Sequence, residues 1–168
     1  MKPSLHILTI FIILIPLLCQ GQYFNRAEKP SFFFVGTELD PRNAIYGSPV
    51  NEPAFDGVLN MGYRNHGFQV QASYENFNAI KFSSYGFQMG HVFNHEGNFN
   101  YALLGGLSMI ERHVSWLQKV LFGSASISGQ MEYHCFSRFY FSLRAEGRYR
   151  GDLEKFKPSG YAGIGLKI

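Results

Sequence analysis

From Arg138 to Arg150 the chain alternates without a break. Phe139, Phe141, Leu143, Ala145, Gly147 and Tyr149 are apolar, small or aromatic, and Tyr140, Ser142, Arg144, Glu146, Arg148 and Arg150 between them are polar or charged. A period of two belongs to a β-strand, whose successive side chains point to opposite faces. One face of this strand needs an apolar surrounding and the other a polar one. The same rule places Phe68, Val70, Ala72 and Tyr74 opposite Gln69, Gln71, Ser73 and Glu75. It also places Leu121, Ala125, Ile127, Met131 and Tyr133 opposite Ser124, Ser126, Ser128, Gln130, Glu132 and His134.

Applied along the chain, alternation predicts eight strands, at about residues 31–39, 54–64, 67–77, 82–93, 98–109, 120–134, 138–150 and 159–168. Most reach the ~9 to 11 residues that cross a bilayer at a tilt, where strands of ordinary globular domains centre on about 5 to 6. The segments between them run long, short, long, short with one weak member, the long ones being Asp40 to Pro53, Ile110 to Lys119 and Gly151 to Pro158. That asymmetry is the one outer-membrane barrels show between outer loops and periplasmic turns. Turn-forming residues fill two short sites, Arg64-Asn65-His66-Gly67 and Asn94-His95-Glu96-Gly97-Asn98. Hydrocarbon tolerates no unpaired sheet edge, so such strands must close on themselves, and eight is a closure whose interior side chains just fill. The expected fold is all-β: an eight-stranded antiparallel up-and-down transmembrane β-barrel spanning residues 22–168.

Residues 1–21 follow a different pattern. Met1-Lys2 is followed by the almost wholly apolar Leu5 to Leu18, then by Pro16 to Gly21 with its breaker and small residues. The apolar run is shorter than the ~20 residues of a spanning helix and reads as a signal peptide cleaved after Gly21. A lipoprotein reading would acylate Cys19, but the bulky Leu18 precedes it where a small residue is expected. Once the leader is removed, Cys135 is the only cysteine, which excludes an internal disulfide and a cysteine-built zinc site. Loss of Lys2 leaves 14 basic against 12 acidic residues, too even a balance for a nucleic-acid partner. No later run approaches 18 apolar residues, which excludes helical spans. The 17 Phe and 10 Tyr exceed what a soluble domain of this size readily hides, and they suit a wall facing lipid.

On these strands, and on the C-terminal run Tyr161-Ala-Gly163-Ile-Gly-Leu166-Lys-Ile168, the chain resembles the small outer-membrane barrels of the OmpA/OmpX and opacity-protein type. In that group a similar run acts as an assembly signal. The resemblance thus implies Tyr161, Gly163, Leu166 and Ile168 as that signal, with the barrel-assembly machinery, periplasmic chaperones and outer-membrane lipid as partners. The chain departs from the usual form by ending in Ile168 where Phe is common. A narrower resemblance joins Asp152-Leu-Glu-Lys-Phe-Lys-Pro-Ser159 and Gly163-Ile-Gly-Leu166 to the C-terminal end of the TraO family of conjugative-transposon proteins. It implies a conjugative-transfer component as an alternative.

The residues expected to face the barrel interior are Arg144, Glu146, Arg148, Glu132, Gln130, Glu75 and Gln71, with Asp56, Arg64 and Glu38 as further candidates. Mutual ion pairing in a plugged interior is the expected role, since buried charges must be paired. A selectivity lining or proton path is the alternative. Two further constellations point elsewhere. His113-Val114-Ser115 has the spacing of a lipid A deacylase family, although Trp116 replaces that family's Asn and no Glu occupies the matching place. His91 and His95, four apart, would be about 13 Å apart on a strand, too far for a shared metal. No catalytic, cofactor or metal site is expected; the expected function is a non-enzymatic outer-membrane barrel with a structural or surface-interaction role carried by its extracellular loops and a partner there, and a lipid A-modifying, deacylase-like enzyme is the alternative. A lipocalin-like soluble barrel is the rival, but it needs an apolar interior, which Gln130, Glu132, Arg144 and Glu146 oppose.

Overall fold

A computed structural model describes residues 31–46, 55–77, 79, 81–113 and 119–168. Among them are strands β1 (Ser31–Leu39), β2 (Asp56–Asn65), β3 (Phe68–Phe77), β4 (Phe82–Phe93), β5 (Phe99–His113), β6 (Lys119–Tyr133), β7 (Phe139–Arg150) and β8 (Lys155–Lys167), and one short helix, α1 (Pro41–Tyr46). Each strand pairs antiparallel with its sequence neighbour. β1 also pairs with β8, from Phe34↔Lys167 to Leu39↔Ala162, and this seam closes the barrel. The expected signal peptide lies outside the described residues.

Local chemistry explains the tight turns. The β2–β3 connection is His66-Gly67, with His66 at φ 51°. In the β4–β5 turn, Asn94 takes φ 52° and its side-chain amide donates to the Phe99 carbonyl at 2.6 Å. Asn is among the side chains that tolerate this left-handed region. These two turns, the β6–β7 turn and Ile168, which donates to Phe33 O at 2.8 Å, share one end of the barrel, the tail end. At the other end, the loop end, lie α1 and the turn Gly151–Glu154. Asp40 starts α1 by accepting the Arg42 N–H at 2.8 Å, as a helix cap does.

Two strands are longer than alternation predicts. β5 runs to His113 through Ile110↔Phe122, Glu111↔Leu121 and Arg112↔Val120, so five of the ten residues of the expected long loop from Ile110 to Lys119 belong to the ladder. A Lys119–Glu111 ion pair at 2.8 Å supports it. β8 starts at Lys155 although Pro158 lies within it. β1 pairing stops at Leu39↔Ala162, so Pro158 falls on an edge where its missing N–H costs no ladder bond to β1. Both extensions lie toward the loop end, where an apolar outer face is not required, and their alternation is therefore weak. The β5–β6 and β7–β8 connections are accordingly shorter than the expected Ile110–Lys119 and Gly151–Pro158 loops. α1 occupies part of the third, Asp40–Pro53.

The facing of β1, which its Phe32-Phe33-Phe34-Val35 run leaves open in the sequence, is settled by burial: Phe34, Gly36 and Glu38 point inward. The strand-interior glycines fall into two classes. A Cβ on Gly165 would overlap the Tyr140 ring, and one on Gly163 would overlap the Thr37 carbonyl, so at these two positions the barrel closes on glycine. Gly105, Gly123 and Gly129 face outward with nothing within 4 Å, so close packing is not their role.

Candidate functional site

All seven predicted interior residues, and Asp56, Arg64 and Glu38 with them, are buried. Alternation delivers them there: on β7 every second residue from Tyr140 to Arg148 is enclosed, while the intervening ones from Phe139 to Ala145 are exposed. Arg64 (β2) reaches across to Glu132 (β6) with two hydrogen bonds of 2.7 and 2.8 Å, and also donates to Gln69 Oε1. From Gln69 a relay of amides runs to Gln71 at 2.8 Å and on to Gln88 at 2.7 Å, and Gln88 donates to Glu146 at 3.1 Å. Glu146 is shared by Arg144 at 3.0 Å and Arg148 at 2.6 Å. Arg148 continues to Glu75, which also accepts from the Tyr161 hydroxyl at 3.1 Å. Arg144 Nη2 lies 2.8 Å from Glu38 as a charge contact without hydrogen-bond alignment. Its guanidinium also stacks 4.5 Å from the Tyr161 ring centre.

The lumen is thus crossed by one network joining four carboxylates, Glu38, Glu75, Glu132 and Glu146, to three guanidiniums. Charges taken from water need this mutual satisfaction. Gln130 joins through a 3.0 Å bond to Glu132. The sequence reading placed Gln69 on the polar face of β3 without naming it among the interior residues, and it left out Gln88 and Asn100; all three are buried. Alternation was the available signal, because Gln88 lies two positions from the inward Gly86 and Asn100 sits on the inward series of β5. Tyr161, expected as an assembly residue, is also a member of the network.

Toward the tail end His134 pairs with Glu132 at 2.8 Å, contacts Asn100 at 3.2 Å and stacks on Tyr140 with ring centres 5.1 Å apart. Cys135, also buried, has its thiol 3.9 Å from the Phe139 carbonyl. His91 packs edge-on against Phe93 at 4.6 Å, and among the described residues no group of three His, Cys, Asp or Glu side chains forms a metal site. The His113–Ser115 pair falls at and beyond the end of β5, where the side chains lie outside the described residues.

At the loop end Asp152 accepts from Arg150 at 3.0 and 2.6 Å and from Arg112 at 2.8 Å, which ties the β7–β8 turn to β5. Burial pushes the Asp152 carboxyl upward, but these guanidinium hydrogen bonds outweigh it and hold it below the usual carboxylate range.

The outer wall has the opposite character. Its middle is aliphatic and sulfur-rich, with Met61, Met89, Leu103, Leu107, Ile127, Met131, Leu143 and Ile164 all exposed. Aromatic residues collect at both ends of this band. Phe33 pairs with Tyr63 at 4.8 Å and Phe99 with Tyr133 at 4.6 Å toward the tail, and Tyr74 pairs with Tyr85 at 5.2 Å toward the loops. On β4, Phe93 and Tyr85 mark the two girdles. Their eight-residue separation is about 26 Å along the strand, or about 20 Å across a barrel tilted by ~40°. An apolar band between aromatic girdles is what a lipid-exposed barrel presents.

An apolar outer band, a closed wall and a charged, filled lumen together define a small barrel of the outer-membrane type. Solved structures agree on the fold. The N-terminal β-barrel domain of OprF from Pseudomonas aeruginosa superposes with a TM-score of 0.64 at 15% identity, over 83% of this chain and 98% of that one. Ail from Yersinia pestis, in a phospholipid bilayer nanodisc, gives 0.57 at 13% identity over 83% of this chain and 100% of that one. The Neisserial surface protein NspA gives 0.53 at 10% identity, over 83% and 97%. A de novo designed transmembrane β-barrel also superposes, at 0.53 and 13% identity over 84% and 98%. No protein-family model and no curated sequence matches the chain. The expected eight-stranded antiparallel architecture is met. The architecture by itself assigns no activity.

Proposed function

We propose that this protein is a non-catalytic resident of the outer membrane, a barrel that serves envelope integrity or surface contact through its loop end. The observation that carries this reading is the filled lumen. The Arg64–Glu132 and Arg144–Glu146–Arg148 networks occupy the cross-section that a conducting pore would keep open, so the exposed ends are left as the working surfaces. The loop end is the richer of the two, with α1, the Glu111–Lys119 pair and the Arg112–Asp152–Arg150 cluster held on extended strands. On this reading residues 1–21 direct export, and the run from Tyr161 to Ile168 presents the last strand to the barrel-assembly machinery after periplasmic chaperones deliver the chain. In the folded barrel that run splits by face: Tyr161 and Gly163 inward, Leu166 and Ile168 outward.

The test combines membrane fractionation, a boiled-versus-unboiled gel comparison and protease treatment of intact cells carrying an epitope tag at Gly151–Glu154. The expected result is a heat-modifiable band in the outer-membrane fraction whose tag is removed from outside. A soluble protein without a band shift, or a tag cut only after the outer membrane is permeabilised, overturns the proposal.

A further inference from the structure

The loop end of the lumen contains a recess of about 150 Å³ whose two walls differ in charge. Asp40, just before α1, Asp56 of β2 and Glu75 of β3 form one wall, with Arg42 of α1 beside Asp40, and Arg148, Arg150 and Lys157 form the other, from β7 and β8. Most of these charges are used within the protein. Asp40 holds Arg42 at 2.9 Å, Glu75 holds Arg148 and Tyr161, and Arg150 holds Asp152. Two are not. Asp56 is only 7% exposed, and its Oδ2 accepts from Asn43 at 3.2 Å, but its Oδ1 has no hydrogen-bond partner and no cation pairs with it among the described residues. Lys157 stands opposite Arg148 across the β7–β8 ladder, like charge beside like charge, and no acid pairs with it among the described residues.

A buried carboxylate oxygen without a donor is expensive, and Lys157, whose neighbour Arg148 is already held by Glu75 and Glu146, leaves an exposed cation on the same recess. One ligand can meet both: a molecule with an ammonium group for Asp56 and an anionic group for Lys157. The volume is equivalent to about five waters at ~30 Å³ each, and it lies well below the ~300 Å³ at which drug-sized pockets begin. We propose that the recess binds a small zwitterion, a primary ammonium a few bonds from a phosphate or carboxylate. The ammonium donates to Asp56 Oδ1 and the anion faces Lys157. This inference needs the closed barrel but not the surface-contact role, so either can fail alone.

Binding of O-phosphoethanolamine to the refolded full-length barrel in detergent micelles, measured by calorimetry beside ethanolamine alone and inorganic phosphate alone, tests it. The expected result is that the intact zwitterion binds at least tenfold more tightly than either half. Asp56→Asn, which keeps an acceptor for Asn43, reduces its affinity to that of phosphate, and Lys157→Gln reduces it to that of ethanolamine. Each variant is first checked for the heat-modifiable band. Lys157 is exposed, so Lys157→Gln decides the matter even if Asp56→Asn does not assemble. Equal binding of a half-probe, or wild-type affinity in Lys157→Gln, overturns the proposal. In nanodiscs, competition by phosphatidylethanolamine assigns the ligand to a lipid headgroup. Undiminished binding assigns it to a free solute, and both results support the shared chemistry.

Discussion

Glu132→Gln tests whether the interior network is what holds the barrel. Glu132 is enclosed and accepts two bonds from Arg64, at 2.7 and 2.8 Å, one from Gln130 at 3.0 Å and one from His134 at 2.8 Å. Glutamine keeps the volume and one acceptor but removes the charge, and it turns an amide NH₂ toward groups that are themselves donors. Arg64 is 2% exposed, with Gln69 and the rings of Phe32 and Phe34 among its remaining contacts. Removing one partner of a buried pair costs about 3 to 5 kcal/mol, because the other charge stays buried. With a urea dependence of about 1 to 3 kcal/mol per molar, the unfolding midpoint should fall by roughly 1 to 5 M. The assay is a urea titration in lipid vesicles, read as the fraction of compact, unboiled band on a gel. The double variant Arg64→Met with Glu132→Leu should recover much of that loss, since replacing a whole buried pair with apolar groups is often near neutral. A shift below about 0.5 M for Glu132→Gln, or a double variant no better than the single one, would refute the reasoning that pairing is what makes these charges tolerable.

Two further outcomes follow from the wall and the last strand. Leu143→Arg, at mid-band on the lipid face, should cost about 2 to 4 kcal/mol in the same titration, and Leu121→Arg, near the loop end opposite Glu111, only about 0 to 1 kcal/mol; equal costs would mean that the band is misplaced. Gly165→Ala should sharply reduce the yield of assembled barrel in a refolding gel, because the added methyl meets the Tyr140 ring, and Gly129→Ala, with open space around it, should assemble like the wild type. Similar yields from the two variants would contradict the close approach of the Tyr140 ring to Gly165 across the β7–β8 ladder.

How much of this was legible in the sequence depends on which force sets each residue's position. The walls were legible because a lipid outside and a polar lumen inside impose opposite demands on successive residues, and Phe139 to Arg150 or Phe68 to Phe77 can satisfy both only by alternating. The network's membership followed from the same parity, so Arg144, Glu146 and Arg148 could be placed inside before their partners were known. The partners were not legible, because Arg64 meets Glu132 across the lumen, and β2 and β6 share no ladder. Only the curvature and shear of the closed sheet decide which inward residues of distant strands meet. The same limit explains β1, where Phe34 is inward because it covers Arg64 and Tyr140, contacts with no local signature. It also explains the misjudged ends of β5 and β8. There the outer demand for apolar side chains lapses and the ladder is continued by charge pairs such as Glu111–Lys119, which alternation does not record. Parity along a strand therefore fixes which face a residue occupies, and closure of the barrel fixes whom it meets. Any ligand-binding property of this chain depends on the second of these, as the meeting of Asp56 from β2 and Lys157 from β8 around one recess illustrates.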